Sequence, residues 1–85
     1  MVDFTVSRHA EAALLERGIS RGALSALLES PPQRLQGRDG LWVYQALQRD
    51  VGGQEYVLRA LVDEGRSPLH VVTVYRSSRV SKYWR

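Results

Sequence analysis

EYVLRALVD (55–63) is the stretch whose reading decides the fold. Its residues alternate, so that in an extended chain Tyr56, Leu58, Ala60 and Val62 fall on one face and Glu55, Val57, Arg59, Leu61 and Asp63 on the other. That period predicts a strand over about 55–63, with its first set of side chains turned to a core. Runs of similar character lie on both sides, at about 41–48 and 69–76, rich in Val, Tyr, Trp and Leu. The turn-forming segments 49–54 and 64–68 separate them, so the three runs form an antiparallel meander. In the last run the same logic places Val72 and Val74 toward the core, with Val71, Thr73 and Tyr75 opposite. A short strand around Leu35, before Gly37, adds an edge.

Upstream of the meander the period changes. Ser7 can cap a helix in which Ala10, Ala13 and Leu14 recur at helical spacing until Gly18, a residue that readily takes the left-handed conformation. Ser20 offers a second cap before Leu24, Leu27 and Leu28, and Ser30-Pro31-Pro32 stops that helix. Helices are therefore expected at about 8–17 and 21–29, joined as an αα-hairpin. The fold class that follows is α+β: the hairpin packs on one face of a three- to four-stranded antiparallel sheet whose other face is at least partly open. The 85 residues are expected to form a single domain, 1–85, with no second core and no large enclosed chamber.

Composition narrows the chemistry. With no cysteine, disulfide frameworks, thiolate nucleophiles, iron–sulfur clusters and cysteine-rich zinc sites are excluded. The chain carries 12 Lys+Arg against 9 Asp+Glu for a net charge of +3, and the imbalance is local. Residues 75–85 hold Arg76, Arg79, Lys82 and Arg85 and no acid, whereas 1–74 are close to neutral. The N-terminal MVDFTVSRHA has neither the basic flank nor the apolar run of a signal peptide, and no stretch approaches the roughly 20 apolar residues of a membrane span. A cytoplasmic location and no membrane partner are expected.

Candidate functional residues gather on the open face and in the basic-aromatic tail 77–85. Arg59, Thr73 and Tyr75 project from adjacent strands onto one surface, and Arg76, Arg79, Lys82, Tyr83, Trp84 and Arg85 follow. Cations neutralise phosphates and exposed rings stack bases, so the combination suits single-stranded RNA better than duplex DNA. For Trp84, burial against a small core outweighs stacking. Arg59 could instead pair with Glu55 or Asp63. His9, in the first turn of the first helix, sits where the helix dipole favours a neutral imidazole able to accept a proton, although a ring hydrogen-bonded to backbone or packed over a loop is the favoured role. His70 is placed on the helix-facing side. No set of residues stands at metal-ligand spacing, so neither a metal nor a cofactor is expected.

SRHAEAALLERGIS (7–20) and TVYRSSRVSKYWR (73–85) resemble the corresponding segments of a bacterial family designated domain of unknown function 4258, over about residues 4–84. That family shows S-x-HA-x-x-R-x-x-ERGIS at its start and VVTVY followed by a basic KYW ending; its first-helix arginine is missing here, where Ala12, Ala13 and Leu14 stand. The order of helix pair and meander is more distantly similar to RelE/ParE-like toxins of toxin–antitoxin systems. For the RelE branch this resemblance implies metal-independent cleavage of RNA, with Arg59, Arg76 and Lys82 on the phosphate, His9 or Tyr75 handling protons, and Tyr83 stacking or donating, whereas the ParE branch instead poisons a topoisomerase. Arg79 and Arg85 would add to nucleic-acid binding. RNA or the ribosome, and an antitoxin-like protein, are the implied partners of a monomer or homodimer. The alternative is a non-catalytic protein- or RNA-binding module using the same open face and tail.

Overall fold

The computed structural model describes residues 2–85, arranged as five strands and three helices. In chain order these are β1 (Phe4–Val6), α1 (Arg8–Arg17), α2 (Arg21–Glu29), β2 (Gln33–Gln36), β3 (Trp42–Arg49), β4 (Glu55–Asp63), β5 (Leu69–Ser77) and α3 (Val80–Tyr83), with a 3₁₀ turn at Arg38–Gly40. The class is α+β, and the helix pair has the boundaries its caps dictate. Ser7 accepts a hydrogen bond from the Ala10 amide, and Ser20 accepts one from Ala23. Gly18 ends α1 at φ +63, where its own amide and that of Ile19 reach back to the last carbonyls of the helix.

The sheet differs from the expected one in number and in kind. Its order is β1-β5-β4-β3-β2, five strands, and it is mixed because β1 runs parallel to β5. The three residues of β1 are too few to show a period, and their partner lies more than sixty residues away, so nothing local marks them. The remaining pairs are antiparallel, as the meander requires.

One face of the sheet carries the core. Ala10, Ala13 and Leu14 of α1 and Leu24, Leu27 and Leu28 of α2 pack on Tyr44, Leu58, Ala60, Val62, Val71 and Val74. The alternation read in β4 holds along its length, but in β5 the expected pairing of Val72 with the core is wrong. The register shifts between Leu61 and Val62, which pair with Thr73 and Val71, so Val72 is the extra residue of a β-bulge. Val71 therefore enters the core. His70, opposite Asp63 and bonded through Nδ1 to the Thr5 hydroxyl at 2.8 Å, goes to the face away from the helices rather than toward them. Ser7 fixes the bulge: its hydroxyl donates to the Val72 carbonyl at 2.6 Å while capping α1. One side chain thus sets both where the first helix starts and where the last strand changes face. No helix among the described residues is long and apolar enough to cross a membrane.

Candidate functional site

The antiparallel register aligns one polar side chain from each of four strands on the face away from the helices. Gln33 of β2 lies opposite Gln45 of β3, Gln45 opposite Arg59 of β4, and Arg59 opposite Tyr75 of β5. They form a continuous hydrogen-bonded row. Gln45 Nε2 donates to Gln33 Oε1 at 2.6 Å, Arg59 Nε donates to Gln45 Oε1 at 2.9 Å, and Arg59 Nη1 donates to the Tyr75 hydroxyl. Gln45 is wholly buried, and both ends of its amide are satisfied.

Arg59 is the centre of this row and takes none of the carboxylates its strand offers. Neither Glu55 nor Asp63 pairs with it, and among the described residues no ion pair reaches either Arg59 or Arg38. Its guanidinium instead lies 4.2 Å from the centroid of the Tyr83 ring and 5.5 Å from that of Tyr75. The two tyrosines meet edge to face with centroids 6.3 Å apart. Its Nε and Nη1 are hydrogen-bonded, while no carboxylate among the described residues neutralises the charge.

Beside Arg59 and Tyr75 opens a cleft of about 460 Å³. Val43, Leu61 and Thr73 line it together with the Gln36-Gly37-Arg38 segment, so a basic and hydroxylated rim surrounds an apolar floor. Gly37 fits closely there: a Cβ would lie 3.2 Å from the Leu41 carbonyl, Leu61 Cδ1 and Val43 Cγ2 at once. This size falls within the ~300–1,000 Å³ of small-ligand pockets. It contains no histidine and no carboxylate.

The tail folds back over the other end of the row. Gln45 Nε2 donates to the Tyr83 carbonyl at 2.9 Å, and Gln33 reads both backbone groups of Arg85, accepting from its amide at 3.2 Å and donating to its carbonyl at 2.8 Å. Tyr83 and Trp84 are half-buried, whereas Arg79, Lys82 and Arg85 remain exposed, with Lys82 Nζ 5.2 Å from the Tyr83 ring.

The residues singled out from the sequence are thus partly brought together. Arg59, Thr73 and Tyr75 share the cleft, and Tyr83 touches Arg59. His9 does not join them: it is exposed on α1, on the other side of the sheet. Arg76 also points to the helix side, opposite Leu58, and lies 5.2 Å over the Tyr56 ring. Gln33, Gln45 and Arg38 were not foreseen. For Gln45 the signal was present, since it is the one polar side chain in an otherwise apolar stripe, Val43, Gln45, Leu47.

A second polar cluster stands at the edge of the helix-facing side. Arg34 grips Glu64 with both Nε and Nη2, at 2.7 and 2.5 Å, and lies 3.7 Å over the Trp42 ring, while the Tyr44 hydroxyl donates to the same carboxylate. The bonds from Arg34 hold the Glu64 carboxyl below its ordinary range, and burial, reinforced by Glu64, raises the Tyr44 phenol. Three hydrogen bonds converge on the one carboxylate, so the cluster braces β2 and β3 against the β4–β5 turn. Among the described residues no three His, Asp or Glu side chains converge on a point that could hold a metal ion.

Comparison of the chain with protein-family models, with curated proteins and with solved structures finds no match in any of the three.

Proposed function

We propose that the chain is a single-stranded RNA-binding module of the RelE/ParE-like kind, a member of the domain of unknown function 4258 family, that seats a backbone phosphate against Arg59. The observation that carries this reading is the half-buried guanidinium of Arg59 at the mouth of a cleft, oriented by an amide and a phenol and without a counter-ion among the described residues. A half-buried charge without a partner is costly, and an anion entering the cleft would relieve it. Arg38, which also lines the cleft, supplies a second cation for the same or the next phosphate. A sheet face with tyrosine beside arginine suits an unpaired strand, whose bases are free to stack, better than a duplex.

Binding is favoured over cleavage because the cleft offers a single proton-bearing side chain of suitable kind, the Tyr75 phenol. In-line attack by a ribose hydroxyl needs a base and an acid on opposite sides of the phosphate. His9, the other candidate, faces away.

The test is a fluorescence-anisotropy titration of a labelled single-stranded RNA at two salt concentrations, with a gel run on the same samples. Affinity is expected to fall as salt rises. Arg59→Ala is expected to weaken binding at least about tenfold and to reduce the salt slope by about 0.7, the loss of one phosphate contact on a single strand. His9→Ala and Arg76→Ala, on the other side of the sheet, are expected to leave the Arg59-dependent component intact. Failure of the wild-type chain to bind, or equal binding by Arg59→Ala, would overturn the proposal, and an RNA product on the gel would replace binding with cleavage.

A further inference from the structure

We propose that the segment Tyr83–Arg85 is a built-in competitor of this RNA face, a strap whose tyrosine holds the position on Arg59 that a nucleobase would take; the inference rests on the RNA reading. Arg59 has two faces to offer. One borders the cleft, where a phosphate would sit, and the other is covered by the Tyr83 ring at 4.2 Å. A base adjoining the bound phosphate finds its stacking surface already occupied.

The strap is held in a manner that permits release. α3 is a single turn of four residues with no buried side chain. Its fastenings to the sheet lie at its far end: the Gln45 bond to the Tyr83 carbonyl, the pair between Gln33 and Arg85, and the ring contact. The segment before it, Ser77 to Arg79, contains two exposed residues and no apolar anchor. Two of its three hydrogen bonds to the sheet are exposed and none of its side chains is fully buried, which places such a unit toward the low end of local stability. Every group that fastens the strap is neutral except Arg59, so its release does not depend on ion pairs.

The strap and a stacking platform make opposite predictions for one substitution. If Tyr83 is a guard, Tyr83→Ala exposes the Arg59 face and RNA binds more tightly; if Tyr83 is itself the base's partner, the same change weakens binding. Gln33→Ala unfastens Arg85 from a position that does not line the cleft, although it also removes the acceptor of Gln45 Nε2, and Tyr83→Ala leaves the row itself whole; neither variant alters net charge, so counter-ion effects cannot produce the difference. A strap closed nine-tenths of the time reduces apparent affinity about tenfold, and both variants should recover a large part of that factor.

The experiment measures RNA affinity for the wild-type chain, Tyr83→Ala, Gln33→Ala and Arg59→Ala, together with amide exchange at Trp84, whose amide donates to the Val80 carbonyl. The expected result is tighter binding by the first two variants, weaker binding by Arg59→Ala, and Trp84 exchange far faster than that of β4. Unchanged or weaker binding by Tyr83→Ala, with Arg59→Ala still impaired, overturns the strap and leaves the RNA reading standing. Trp84 exchange as slow as global unfolding overturns the strap whatever the RNA result. Absence of binding by all four proteins overturns the RNA reading itself.

Discussion

Replacing Gln45 by leucine tests the row at its most buried point. The side chain is 0% exposed and makes three hydrogen bonds, to Gln33, Arg59 and the Tyr83 carbonyl. Leucine has nearly the same volume, so the cavity cost is small, and its burial returns some apolar stabilisation. What remains is the loss of two neutral bonds, each contributing about 1 kcal/mol net, and one bond to a charged group of about 1.5–3 kcal/mol. Arg59 and Gln33 are only half-buried and can recover part of this from water, which sets the expected loss at about 2–4 kcal/mol. For a domain of this length about 1 kcal/mol moves Tm by roughly 4–8 °C, so the variant should melt on the order of 10–25 °C lower. Gln36→Leu, an exposed glutamine on the neighbouring strand, serves as the control and should stay within about 0.5 kcal/mol. Urea and thermal unfolding followed by circular dichroism measure both. A Gln45→Leu protein as stable as the control would show that the row is not built as described and that the fastening of the tail contributes nothing.

Gly37→Ala crowds three atoms at 3.2 Å, one of them a backbone oxygen that cannot rotate away, and is expected to cost about 1–2 kcal/mol in urea unfolding while narrowing the cleft. The Arg34–Glu64 pair makes stability depend on pH in a stated direction. The Glu64 carboxyl is held below its ordinary 4.5, chiefly by Arg34, so its contribution is complete above that value and is lost as pH falls through the lowered one. The wild-type chain should therefore exceed Glu64→Gln in stability at neutral pH, and the gap should close on acidification below about 4.5; a gap constant down to pH 2 would refute the assignment.

The parts of this fold legible in the sequence are those governed by local rules. Ser7, Gly18, Ser20 and Pro31-Pro32 bracket the two helices because capping acts within four residues. The turn at 49–54 likewise declares itself, with Asp50 accepting from the amides of Gly52 and Gln54. Illegible parts are those that depend on distant pairing. Phe4-Thr5-Val6 becomes a strand only because β5 lies beside it, and the bulge at Val72 arises in a run, LHVVTVY, apolar enough on both faces to satisfy either register. Local sequence marks Ser7 only as a cap, yet its hydroxyl also holds that bulge.

The candidate site divides along the same line, and the division bears on how the tail works. Placing Arg59, Thr73 and Tyr75 on one surface needed only the period of two, and it survives the bulge because the register shift falls beyond Thr73. The tail could not be read this way. Its charge is visible in composition, but the path of its backbone is fixed by Gln33 and Gln45, two amides on other strands, of which only Gln45 stands out in the sequence, as a polar side chain in an apolar stripe. The outcome is a separation of roles within seven residues: Arg79, Lys82 and Arg85 stay in solvent, while Tyr83 turns onto Arg59. Exposed cations act over roughly 8–10 Å at physiological salt and need no fixed geometry, so they can attract a polyanion while the strap is closed. Stacking needs contact and therefore requires release. On the proposed RNA reading, a basic, aromatic tail of this construction would gather the strand before it yields the surface on which a base would be held, and the order of those two events would follow from which side chains the glutamines fasten.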